Sequence, residues 1–134
     1  MSMVHDNIIK GYSVDFDAET LILKTLYQAD EILENTDVVF TGYLAHDFDH
    51  VVKYNIIFDI NEWPLSLYLE RERDMLEKAR KYGWPISYKT ESELIGFFQV
   101  NGYKVYLIGS SCGLSGFVLA KNMNIIVNGE RFIA

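Results

Sequence analysis

Between Lys10 and Phe16 apolar side chains fall at every second position, with Tyr12, Val14 and Phe16 on one side and Ser13 and Asp15 on the other. That period of two is the signature of a half-buried strand. After Asp17-Ala18-Glu19 the alternation resumes in TLILKTLY, residues 20–27, and the short polar link between the runs predicts a hairpin. Residues 28–37, QADEILENTD, read as an acidic connection with room for a short helical turn. A third run, Val38 to Ala45, is apolar or aromatic on both faces, as a central strand is, and Gly42 within it marks a bulge or bend. A fourth, Tyr54 to Ile60, completes an antiparallel meander.

The period then changes. Leu65, Tyr68, Leu69, Met75, Leu76, Ala79 and Tyr82 form a stripe at helical spacing, which predicts one long helix. Asn61 is its expected cap, Pro64 suits the first turn and Gly83 suits the left-handed residue after the last turn. Asp74 with Lys78, and Glu77 with Lys81, are acid-before-base pairs four apart, each contributing about 0.2–0.5 kcal/mol. Thr90-Glu91-Ser92-Glu93 matches a capping box and predicts a short helix to about Val100, closed by Asn101-Gly102.

Residues 103–111, YKVYLIGSS, form a further strand that is apolar on both sides. GFVLAKNMNIIV fits one bent strand, two strands, or a short helix and a strand, because a brief apolar run has no distinguishing period. Asn128-Gly129 has the residues of a tight hairpin turn. The expected fold class is α+β: an antiparallel β-sheet with one long and one short helix packed on one face, in a single domain spanning 1–134.

Composition agrees with one ordered core, since 49% of residues are hydrophobic, 14% aromatic and 23% charged in a chain of 134. The N-terminal residues have neither the basic nor the apolar segment of a secretory signal, and no apolar window is long enough to span a bilayer. The lone Cys112 cannot form an intramolecular disulfide, which suits a reducing compartment, and the cytosol is the expected location.

Charge adds direction. Residues 1–62 carry twelve Asp/Glu against three Lys/Arg, whereas residues 63–134 carry seven against nine, for a total of −7. Nucleic acid and anionic membranes repel an acidic surface of this kind, and basic proteins are drawn to it. Charge of this sign also serves solubility alone.

Three constellations offer chemistry. His46 and His50 lie four apart, but in a strand they stand roughly 7 Å apart or more, too far for a shared metal without other ligands. A strand end with Phe48 inward and both rings partly solvated is the simpler expectation, and no metal or cofactor is expected. Gly109-Ser110-Ser111-Cys112-Gly113 matches the G-x-S-x-G nucleophile elbow, yet no His follows Ser111 and a helix should. The loop also lacks the Lys of a nucleotide-binding P-loop. Cys112 is a candidate nucleophile if His46 or His50 serves as its base, and an inert core thiol otherwise.

The segments TDVVFTGYLAHDF, NIIFDINEWP, KYGWP and SSCGLSGFVLAKNM, within residues 36–123, resemble small bacterial proteins of the toxin-immunity type. The resemblance implies a cytosolic, non-enzymatic binder that blocks a toxin domain, and it carries no catalytic motif. Two readings result. In the first, an acidic binding domain holds a basic protein partner through Asp30, Glu31, Glu34, Asp37, Tyr43, Asp47 and Asp49, with Tyr12 and Tyr27 beside them. In the second, a small-molecule- or metal-dependent enzyme uses His46, His50 and Cys112. A homodimer whose interface supplies the function is a third option.

Overall fold

The computed structural model describes residues 4–29 and 32–132. Eight strands form one antiparallel sheet: β1 Ile8–Asp15, β2 Thr20–Ala29, β3 Ile32–Thr41, β4 Ala45–Asp49, β5 Asn55–Trp63, β6 Lys104–Cys112, β7 Ser115–Ala120 and β8 Asn122–Phe132. Their order is β4-β7-β6-β5-β1-β2-β3-β8. Helices α1 Leu65–Arg71, α2 Arg73–Ala79 and α3 Glu91–Asn101 lie between β5 and β6, with a 3-10 turn at Arg80–Tyr82. The chain is therefore α+β with an antiparallel sheet. Among the described residues no helix is long and apolar enough to cross a membrane.

Side-chain parity shows how the sheet is bent. On β6 and β7, Tyr106, Ile108, Val118 and Ala120 are buried against Leu21 and Leu23 of β2, Val38 and Phe40 of β3, and Ile57 and Ile60 of β5. Distant parts of one sheet share this core, so the sheet curls back on itself. The alternate positions, Val105, Phe117 and Leu119, join Ala45 and the helical residues Tyr68, Leu69, Leu76, Leu94 and Phe98 in a second cluster. Both faces of β6 and β7 are apolar because each faces a different core.

The curl turns at two adjoining bends. Gly42 adopts φ +62, and a Cβ there would lie 2.6 Å from Cγ of Lys121. Lys121 donates its backbone N–H to the carbonyls of Thr41 and Gly42 at 3.0 and 3.2 Å. The run from β3 into β4 thus pairs with the run from β7 into β8 on both sides of the bends, Thr41 with Asn122 and Ala45 with Leu119.

Several expectations change. Of the expected connection 28–37, residues 30 and 31 lie outside the described residues, 28–29 end β2, and 32–37 are the first half of β3, which pairs with β2 and β8 on its two edges. Of its polar groups, the Asp37 carboxylate pairs with Lys24 (2.8 Å) and the Thr36 carbonyl accepts from Thr25 Oγ1 (2.6 Å), which itself accepts from Asn7 (3.0 Å), while the buried Thr36 hydroxyl has no hydrogen-bond partner among the described residues. The single run 38–45 divides at Gly42 into β3 and β4, the bend its glycine signalled. The long helix is two short ones, divided at Glu72 with φ −103 and ψ 21. Glu72 still donates to Tyr68 O, and Leu76 to Glu72 O, so the break is a kink that no Pro or Gly announces. Asn61 belongs to β5, and Pro64 occupies the cap position itself. Glu77 pairs with Arg80 at 2.7 Å, three residues on.

The end signals behave as read. Gly83 and Gly102 close their helices in the left-handed region. Thr90 accepts from the Glu93 N–H, while the Glu93 carboxylate accepts from Lys89 N–H, one residue before the expected partner. Asn128-Gly129 makes no hairpin: β8 runs straight through, with Asn35 opposite Gly129 and Thr36 opposite Val127, so Asn128 is the extra residue of a bulge.

Candidate functional site

The β1–β2 turn is the tip of a hairpin, and its sequence is Asp15-Phe16-Asp17-Ala18-Glu19. Asp15 Oδ1 accepts the Ala18 N–H at 3.0 Å, which fixes the turn, and the Glu19 carbonyl accepts the Tyr43 N–H at 2.8 Å, which ties it to the β3–β4 bend. Phe16 is left 74% exposed, the most exposed phenylalanine side chain among those described, with its ring 6.3 Å from that of Tyr43. Asp15, Asp17 and Glu19 are exposed around it.

Behind the tip lies a chain of rings. Tyr43 Oη and His46 Nδ1 are 2.7 Å apart, the His46 ring is 4.8 Å from Phe48, and Tyr12 meets Phe48 edge-on at 5.1 Å. Burial lowers the pKa of His46, against the opposing pull of the Asp47 charge. Burial raises that of Tyr43, with Tyr12 adding to it. Both groups are therefore neutral at pH 7, and the simplest assignment has the phenol O–H donating to Nδ1 with the imidazole proton on Nε2.

The residues expected to hold a partner are distributed. Asp30 and Glu31 lie outside the described residues. Glu34 is half-buried on β3, and Asp37, one side-chain parity away, is bound to Lys24 at 2.8 Å with its side chain 15% exposed. Tyr43 belongs to the ring cluster. Asp47 and Asp49 occupy β4 positions alternate to those of His46 and Phe48; burial first, and then the Asp49 charge, raise the Asp47 pKa. Asp47 in turn adds to the upward shift that burial imposes on Tyr68 of α1. Tyr27 is 39% exposed at the far end of β2, away from Tyr12 and Tyr43. The exposed acids that accompany the rings are instead Asp15, Asp17 and Glu19. A phenylalanine between two aspartates in a two-strand link was the signal for them.

His46 and Cys112 stand apart. His46 and Tyr106 lie in line across Val118, and Cys112 is six positions further along β6, so about 20 Å of strand separates the thiol from the imidazole. Cys112 is exposed, with Sγ 3.5 Å from the Tyr54 carbonyl, and His50 is an exposed residue with φ +60 just past β4. Among the described residues no group of three or more His, Cys, Asp or Glu could hold a metal ion. Ser110 Oγ donates to the Leu114 carbonyl, and Ser111 precedes a turn into β7 rather than a helix, so the elbow geometry is missing. No protein-family model, curated protein or solved structure matches the chain.

Proposed function

We propose that the chain is a protein-binding module that holds a basic protein partner against the β1–β2 tip. The observation that carries this reading is Phe16, exposed at 74% on a tethered turn and ringed by Asp15, Asp17 and Glu19. An exposed aromatic ring is the kind of anchor on which interfaces concentrate their affinity, and surrounding carboxylates steer a cationic surface toward it. Tyr43, His46, Tyr12 and Phe48 back the anchor with rings, and the tip acids supply negative charge beside it. Inhibition of a basic toxin domain in the cytosol is the specific form that the resemblance implies, and it belongs to this proposal.

A photo-crosslinking residue at position 16, with a control at Val100, which is 85% exposed on α3, tests the reading in extract from the source cell. The proposal expects position 16 alone to capture a basic protein, in a yield that falls as salt rises. Equal capture from position 100, or capture of an acidic protein, contradicts it.

A further inference from the structure

Among the described residues the sheet leaves several stretches of strand edge unpaired, and the edges of β4, β1 and β8 differ in charge. The outer edge of β4 is five residues long and carries Asp47 and Asp49. β1 pairs with β5 only through Ile8 and Ile9; beyond a bulge at Lys10 its edge faces Val51, Val52 and Lys53 across a cleft of about 200 Å³ and ends at Asp15. Both stretches carry the charges and irregularities that keep edges from pairing with one another. β8 is different. It bonds to β3 alone among the described residues, and its first seven residues, Asn122 to Asn128, include no ionisable side chain in a chain with 12 Lys/Arg and 19 Asp/Glu.

Along that stretch Met123 and Ile125 pack on the inner core, while Ile126 and Val127 are 47% and 43% exposed. The neighbouring field is weak, because Asp37, which lies beside Ile126 on β3, is neutralised by Lys24. We infer that β8 is a homodimerisation edge, joining two copies by antiparallel pairing over residues 122–128. With the two-fold axis at Ile125, Met123 meets Val127, Asn124 meets Ile126 and Asn122 meets Asn128. No charge meets its like, although each copy carries −7. A second β8 is the occupant that fits: a charged foreign strand would find no counter-ion along this edge, and the pairing is self-complementary under a two-fold axis. The bulge at Asn128 ends the flat segment and fixes its length. The surface is separate from the tip and does not depend on the proposed function.

Sedimentation of the full chain between about 5 and about 500 µM tests the inference, since mass action must drive a dimer of this kind. The expected result is a rise from 15.5 kDa toward twice that mass. In the double variant Asn124→Lys/Ile126→Lys each new lysine faces another across the axis, and the association should weaken by about tenfold or more. Amide exchange at 122–127 of the unaltered protein, slowing as concentration rises, reads the same contact without a substitution. A monomer throughout the range overturns the inference. So does a dimer that the double variant leaves intact and whose 122–127 amides exchange at a constant rate.

Discussion

Two aromatic clusters of similar composition do opposite things in this molecule. Under the helices, Phe117 is 3% exposed and packs edge-on against Tyr68 (4.8 Å) and Trp63 (5.6 Å), with the Arg71 guanidinium 5.1 Å over the Trp63 ring. At the tip, Tyr12, Tyr43, His46 and Phe48 make the same kinds of ring contact, but the cluster opens outward and ends in the exposed Phe16. Ring chemistry does not separate them. What covers them does: α1 closes the first cluster, and nothing among the described residues closes the second. Closed rings supply stability; in the proposed function the open ones, of which Tyr43 and Phe48 also pack on the inner core, are the ones that serve recognition.

That contrast can be broken at either end. Phe117→Ala should cost about 3–5 kcal/mol by denaturant unfolding, because a large ring is removed from a site closed on all sides. A loss under about 1 kcal/mol would mean the helical cluster is looser than its burial implies. Gly116→Ala acts on the joint between the clusters: φ is +149, and a Cβ would overlap the carbonyl oxygen of Asp47 on β4. Such a clash against backbone should cost about 2–3 kcal/mol and loosen the β4–β7 pairing, visible as faster amide exchange in residues 45–49.

Smaller effects sharpen the tip. Tyr43→Phe removes one hydrogen bond to a half-buried imidazole and should cost about 0.5–1 kcal/mol. His46 gives the pH dependence. Its folded pKa lies below the ordinary histidine value, so on acidification the unfolded chain takes up the proton first. Stability should fall as pH drops from about 6.5 toward the lower folded value, and His46→Gln should flatten that slope in unfolding midpoints. Asp47, whose folded pKa is raised, titrates with the opposite sign in a more acid window: stability is lost as pH rises from the ordinary carboxylate value through the folded one. Phe16→Ala should leave stability within about 0.5 kcal/mol of the parent while reducing partner affinity by about tenfold.

Local signals were legible in the chain, and contacts made at a distance were not. Thr90, Gly83 and Gly102 act within one turn of helix, and each performs the role its residue type announces. Gly42 marked a bend for the same reason. The first half of β3 was hidden because polar residues such as Asn35, Thr36 and Asp37 are held by bonds to β2 and β8, far away in sequence. Asn128-Gly129 looks identical as a turn and as a bulge until the partner strand is known. At the site, Tyr12, Tyr43 and the negative charge were visible as ingredients. Their arrangement was not, since a one-residue shift in register decides whether an acid such as Asp37 meets a lysine or solvent, and Phe16 passes for the last apolar residue of a strand.

In the proposed function the tip binds through an exposed ring inside a negative field. Its most direct test is a titration of the protein captured from position 16 onto the parent chain and onto Asp15→Asn/Asp17→Asn/Glu19→Gln, each at low and high salt. Parent affinity should fall by about tenfold or more between the two conditions, and the triple variant should bind weakly with almost no salt dependence. Salt-independent binding by the parent, or a triple variant that binds as the parent does, would contradict it.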